Sequence, residues 1–242
     1  MSQNDPQLVR REYADETRLA ARASIYGGSG GPEVAFAAVA EVAPGRVLEV
    51  GCGRGEFAAR VAAELGAEVV ALDLSERMVE LTRARGLHAV VADVQELPFT
   101  NATFDCAVAN WMLYHVPDVD QALRELARVL RPGGRLVAAT NAVNHLAELW
   151  STVGRDLGDR WGLFMREAGA EMLRPHFERV ERRDLDDVLY LSYDDVVRYV
   201  SNSVAHRHLA ARVEHFDGVI PVARHVSVFV ADASARHGLR NR

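Results

Sequence analysis

The chain has 242 residues, about half hydrophobic and a quarter charged, with a net charge of −6. That length supports one large domain with a substantial core, and the acidic balance argues against a broad nucleic-acid-binding surface. All 28 basic residues are arginine, which excludes a lysine Schiff base and a phosphate-loop lysine. Neither Cys52 nor Cys106 belongs to a C-x-x-C pair, so no disulfide is expected. No apolar run approaches the ~20 residues of a membrane helix, and the polar opening Met1-Ser2-Gln3-Asn4-Asp5 does not read as a signal peptide. The expected location is the cytoplasm, with no membrane partner.

Residues 4–26 read as helical, with Leu8, Val9, Tyr13, Leu19 and Ile25 set among charges. Gly27-Gly28-Ser29-Gly30-Gly31-Pro32 breaks the chain, a helical stretch covers 33–42, and Pro44-Gly45 turns into a short apolar strand, Val47-Leu48-Glu49-Val50. Glycines follow at 51, 53 and 55, then a helix over 57–65 with Phe57, Val61 and Leu65 on one face. Strands are predicted at 68–73, 87–93, 104–110 and 135–141. Between them lie a helix capped by Ser75 and a helix over 119–130 whose apolar residues recur at i, i+3 and i+4. Strands alternating with helices at this rhythm predict an open α/β sheet. The last hundred residues predict helices over 145–153 and 161–173 and a strand within 177–191. A helix opened by the capping pair Ser192 and Asp195 and a final strand over 222–230 complete the chain.

The glycine turn carries the first chemical signal. A strand, a glycine turn and a helix N-terminus make a ligand cradle at the carboxyl edge of a parallel sheet. The third glycine comes one residue too early for the dinucleotide pattern G-x-G-x-x-G, since position 56 is Glu. Glu49, two residues before Gly51, would repel a pyrophosphate but suits a ligand with a cationic end. Four polar residues, Glu49, Asp73, Asp93 and Asn110, end four successive predicted strands. In a parallel sheet these ends share one edge. A single strand-end acid often only caps the next helix, but four in register beside a glycine turn point to a ligand site.

From about residue 45 to 141 the chain resembles the class I S-adenosylmethionine-dependent methyltransferases, in particular their small bacterial members. The resemblance rests on Glu49-Val50-Gly51-Cys52-Gly53-Arg54-Gly55, on Leu113-Tyr114-His115-Val116-Pro117-Asp118, and on the turn Leu130-Arg131-Pro132-Gly133-Gly134. It implies a Rossmann-like, seven-stranded, mostly parallel sheet with an antiparallel last strand, helices on both faces and a small helical cap. It divides the chain into an N-terminal helical lid (1–44), a cofactor-binding core (45–141) and a C-terminal part (142–242) that completes the sheet and adds cap helices. It also implies S-adenosylmethionine as cofactor. Asp73 would accept from both ribose hydroxyls, and Leu74 and Met78 would pack on the adenine. Asp93 would take the adenine amino group, and Val94 would offer its backbone N–H to a ring nitrogen. Glu49 and Asn110 would face the methionine end, bordered by Gly51 and Gly53.

The implied reaction is methyl transfer to the O or N of a small molecule, with no nucleic-acid partner. An RNA methyltransferase and a non-catalytic cofactor-binding regulator are the competing readings. The acidic charge and the lack of an N-P-P-Y or twin-cysteine motif weigh against the former. His115, five residues past Asn110, is the nearest candidate general base, although a histidine there can equally cap or pack the following helix. His145 is a second candidate to face the acceptor. Tyr13, Arg22 and Tyr26 are candidates to close over the cofactor. His206 and His208, at i and i+2, share no helical face, and no cysteine joins them or His215, so no metal site is expected.

Overall fold

In the computed structural model, residues 4–13, 16–27 and 30–235 are described. Seven strands form one sheet: β1 (Arg46–Val50), β2 (Glu68–Asp73), β3 (His88–Val91), β4 (Phe104–Asn110), β5 (Leu130–Asn141), β6 (Arg179–Ser192) and β7 (Val219–Asp232). Their order is β3-β2-β1-β4-β5-β7-β6. The pairs from β3 through β5 are parallel, and β7 runs antiparallel to both β5 and β6. This is the seven-stranded Rossmann-like sheet expected from the sequence, with its last strand reversed.

Successive side chains of a strand point to opposite faces, and here both faces are apolar because helices cover both. Leu48, Val50, Ala107, Ala109, Leu136 and Ala138 face α6 (Val119–Val129) and α8 (Gly169–Leu173). Val47, Val69, Ala71, Cys106, Val108 and Val137 face α3 (Gly31–Ala40), α4 (Glu56–Leu65) and α5 (Glu76–Ala84). The i, i+3, i+4 stripe of α6 delivers Ala122, Leu123, Leu126 and Val129, all fully buried. Truncating one of those leucines to alanine costs about 2–5 kcal/mol in cores of this kind. A third core gathers α7 (Ala147–Ser151), α9 (Tyr193–Ser201) and the 3-10 turn Arg207–Arg212, and Ile25 and Tyr26 of the N-terminal segment pack into it.

Three local expectations are corrected. The predicted helix over 4–26 is broken into α1 (Pro6–Glu12), α2 (Glu16–Ala23) and a 3-10 turn, Ser24–Tyr26. Asp5 caps α1 by accepting from the Gln7 and Leu8 backbone N–H groups, and Tyr13 closes it. The stretch 161–173 is helical only in α8. Its first half spends its backbone on the end of β5: the Phe164 carbonyl accepts from Thr140 Oγ1 at 2.7 Å, and the Arg166 N–H donates to the Asn141 carbonyl at 2.9 Å. The predicted third strand stops at Val91, so Asp93 stands in the loop beyond it. No helix among the described residues is long and apolar enough to cross a membrane.

Candidate cofactor and acceptor site

β1 has β2 on one side and β4 on the other, so the chain winds away from it in both directions. The crevice outside the carboxyl ends at such a switch point is where open α/β sheets bind ligands. The glycine turn sits there. Gly51, Gly53 and Gly55 all have positive φ, at 65°, 53° and 72°. A Cβ on Gly51 would lie 2.7 Å from Met112 Cβ, and one on Gly55 would lie 2.6 Å from Thr82 Oγ1. Both conformation and space therefore demand glycine.

Glu49 is 3% exposed. It points to the α4 side of the sheet, where the Ala58 backbone N–H donates to its carboxyl group. It thus supplies the cap that Gly55, at the N-cap position without a side chain, cannot. Its other oxygen, Oε2, is buried with no hydrogen-bond partner, and so is Oδ1 of Asn110 at the end of the adjacent strand. Burial, reinforced by the nearby Asp73 charge, pushes the Glu49 carboxyl up to about 8. Two buried acceptors without donors cost about 1–3 kcal/mol each, and a ligand carrying an ammonium group would supply what they lack.

Asp73 ties the turn to α5. Its Oδ2 accepts from the Gly53 N–H at 3.0 Å and its Oδ1 from the Ser75 N–H at 2.9 Å. Burial nevertheless raises its pKa. The Leu74 N–H is a further backbone donor to the carboxylate. Leu74 beside it is 37% exposed, whereas Met78 is fully buried. Ala92 N–H donates to the Asp73 carbonyl, which brings Asp93 to the same edge. There the Asp93 carboxylate accepts from the backbone and side-chain amides of Gln95. The Val94 side chain belongs to the core.

The N-terminal helices lie across this edge. Ser75 Oγ donates to the Tyr13 carbonyl at 3.0 Å, Glu16 and Arg77 form a two-point ion pair at 2.6 and 3.1 Å, and Leu19 Cδ2 sits 3.6 Å from where a Cβ on Gly53 would be. Trp111, in the left-handed region at φ 52°, turns the chain out of β4. It is held by its N–H on the Ala139 carbonyl at 2.8 Å and its Nε1 on Asn141 Oδ1 at 3.0 Å. Such a conformation costs a non-glycine residue about 1–2 kcal/mol, and it sets Met112 over Gly51 and leads into the 3-10 turn Leu113–His115. His115 Nε2 and Tyr13 Oη share a hydrogen bond of 2.9 Å.

Deeper in, Tyr26 Oη meets His145 Nε2 at 3.2 Å and hydrogen-bonds Tyr199. Burial raises the pKa of Tyr13, Tyr26 and Tyr114, and each keeps part of its surface accessible. Burial, with the Arg160 charge adding to it, lowers His145 to about 3, so its imidazole is neutral. Sequence reasoning singled out Tyr13, Tyr26, Tyr114, His115 and His145 separately. It missed Met112, Leu19, Thr82 and Gln95, which no motif marks.

Residues 48–138 match the family of methyltransferase domains. That stretch falls within the segment, about 45–141, whose motifs resemble the class I methyltransferases. Among curated relatives, the malonyl-[acyl-carrier protein] O-methyltransferase of Pseudescherichia vulneris is 39% identical over 126 residues, 50% of either chain. The 27-O-demethylrifamycin SV methyltransferase of Amycolatopsis mediterranei (strain S699) is 36% identical over 146 residues, 52% of this chain and 54% of that one. The demethylmenaquinone methyltransferase of Clavibacter sepedonicus is 43% identical over 105 residues, 41% and 42%. The chain spans about half the length of the first two relatives. Among solved structures, phosphoethanolamine N-methyltransferase 2 of Haemonchus contortus with S-adenosyl-L-methionine superposes with a TM-score of 0.62 at 20% identity, covering 97% of this chain and 60% of that one. The [4+2]-cyclase SpnF does so at 0.63 and 21%, covering 94% and 96%. At those identities the likeness is one of fold.

Proposed function

We propose that this methyltransferase moves a methyl group from S-adenosylmethionine to an oxygen or nitrogen of a small molecule. The single observation that carries the cofactor is the pair of buried, partnerless acceptors, Glu49 Oε2 and Asn110 Oδ1, beside a turn that tolerates no Cβ. In this reading Glu49 and Asn110 hold the ammonium end of the amino acid, Gly51 and Gly53 border it, and Asp73 takes the ribose hydroxyls. Leu74, Met78, Asp93 and Val94 serve the adenine. The cofactor supplies an activated methyl carbon with a neutral leaving group. The protein's share is then orientation and exclusion of water, with His115 accepting the acceptor's proton.

Residues 45–141 form the cofactor core in this reading, 1–44 the lid, and 142–242 the cap. Tyr13, Tyr26, Tyr114, Tyr199 and His145 come from all three segments and, in this reading, line the place of a compact acceptor. The relatives named for a rifamycin and a menaquinone precursor support the small-molecule class, and the net charge of −6 weighs against RNA.

Calorimetry with S-adenosylmethionine tests the cofactor assignment. Asp73→Ala should weaken binding by about 1–3 kcal/mol, the worth of charge-assisted hydrogen bonds. Unchanged affinity would remove Asp73 from the site. Transfer of labelled methyl groups into a metabolite extract, and not into RNA, tests the acceptor class.

A further inference from the structure

We propose that Glu49 is protonated in the empty methyltransferase and releases its proton to solvent when a ligand bearing an α-ammonium group binds. This rests on the cofactor reading above and adds to it the chemistry of the amino-acid end. The geometry comes first. Glu49 is 3% exposed, its Oε2 has no partner, and the atom stands at the carboxyl edge of β1 beside the glycine turn. Its other contact, the Ala58 N–H at the start of α4, is a neutral donor.

The charged and titratable groups around Glu49 offer no compensation. Asp73, from β2, is a like charge. The Cys52 thiol, on the turn, is pushed up to about 12 by burial and stays neutral. Asn110, from β4, is uncharged. No arginine or histidine forms an ion pair with Glu49 among the described residues, and none contributes to its titration. A carboxylate so placed lacks both water and a cation, and desolvation favours the acid form. An arriving ammonium reverses the balance: the carboxyl O–H bond breaks, the proton leaves to buffer, and an N–H of the ligand donates to the carboxylate left behind.

Because the empty-site value is about 8, the linkage has a definite sign. Below that pH the group must be deprotonated on binding, so affinity rises with pH, by up to tenfold per unit, until the ligand's own amine begins to lose its proton near about pH 8.

The experiment is calorimetric titration of the whole protein with S-adenosylhomocysteine at pH 6–7, in two buffers of different ionisation enthalpy. The ligand's own amine, titrating at about 8, stays protonated there. The buffer dependence should report release of most of one proton per ligand bound. 5′-Methylthioadenosine carries the same ribose and base without the amino-acid arm. It should bind with no release, which separates Glu49 from Asp73 because both ligands reach Asp73. Glu49→Gln should still bind 5′-methylthioadenosine and should lose the proton release with S-adenosylhomocysteine. Buffer-independent binding of S-adenosylhomocysteine by the wild type overturns the proposal and leaves the cofactor assignment standing, as does undiminished release from Glu49→Gln. If neither nucleoside ligand binds, the cofactor assignment itself falls.

Discussion

Replacing His115 with alanine is expected to cut methyl transfer by about 10²–10⁴-fold, the range that positioned general bases supply, while the affinity for S-adenosylmethionine stays close to that of the wild type. His115 leaves the sheet edge on the same chain segment as Asn110, and its Nε2 meets a tyrosine hydroxyl 2.9 Å away across the N-terminal segment. That hydroxyl marks where another O–H or N–H can stand when an acceptor enters. Labelled-methyl transfer and cofactor calorimetry, run on the same variant, read the two quantities separately. A histidine that only props up the turn would give a lower melting temperature or weaker cofactor binding with transfer reduced in proportion. Wild-type transfer rates would end both roles. Tyr13→Phe removes the hydroxyl and keeps the ring, and should change transfer far less than the loss of His115.

The second large effect concerns stability. Glu49→Gln should stabilise the empty protein, and increasingly so as pH rises. The folded-state value of about 8 lies above the ordinary 4.5. Between these values the unfolded chain has lost the proton while the folded chain keeps it. Whatever stability the protonated carboxyl confers is fully present below about pH 4.5 and is lost as pH rises through about 8. Glutamine resembles the protonated acid and suffers no such loss. At pH 5 variant and wild type should therefore unfold at similar urea concentrations. By pH 8 the variant should lead by a few kcal/mol, on the order of 1.4 kcal/mol per unit of displacement and less where the folded protein relaxes around the charge. A constant gap across that range would mean that Glu49 is ionised in the folded protein throughout.

The sheet and the glycine turn were legible in the sequence because each has a local signature. Val47-Leu48 and Val69-Val70-Ala71 are short apolar runs rich in valine, the pattern of a strand buried on both faces. Glycines at 51, 53 and 55 match three backbone positions of positive φ. The stretch 161–173 misled because Trp161, Phe164, Met165 and Met172 fall at helical spacing, while the backbone between them is claimed by Thr140 and Asn141, a tertiary demand that periodicity does not see. The proposed acceptor site was legible only in fragments. Its tyrosines come from positions 13, 26, 114 and 199, and nothing in a linear reading brings four such distant residues together. Glu49 was legible as a ligand-facing acid and also as a helix cap. The structure shows the cap, through the Ala58 N–H, and leaves Oε2 without a partner, on which the ligand proposal rests.

The contacts that seat α1 and α2 over the glycine turn bear on the timing of the catalytic cycle. If the cofactor lies on Gly51 and Gly53 as proposed, Leu19, 3.6 Å from where a Cβ on Gly53 would be, has to lift before spent cofactor leaves, against the ties on either side of it. One of these, Glu16 with Arg77, lies at the surface, where mobile ions compete for both partners. The other, Tyr13 with His115, is shielded from them. On that proposal, departure of the demethylated cofactor is expected to quicken as salt is added, through the outer tie. If that departure is the slowest event in the cycle, as it is in many enzymes with closing segments, the turnover number becomes a readout of an ion pair that never touches the chemistry.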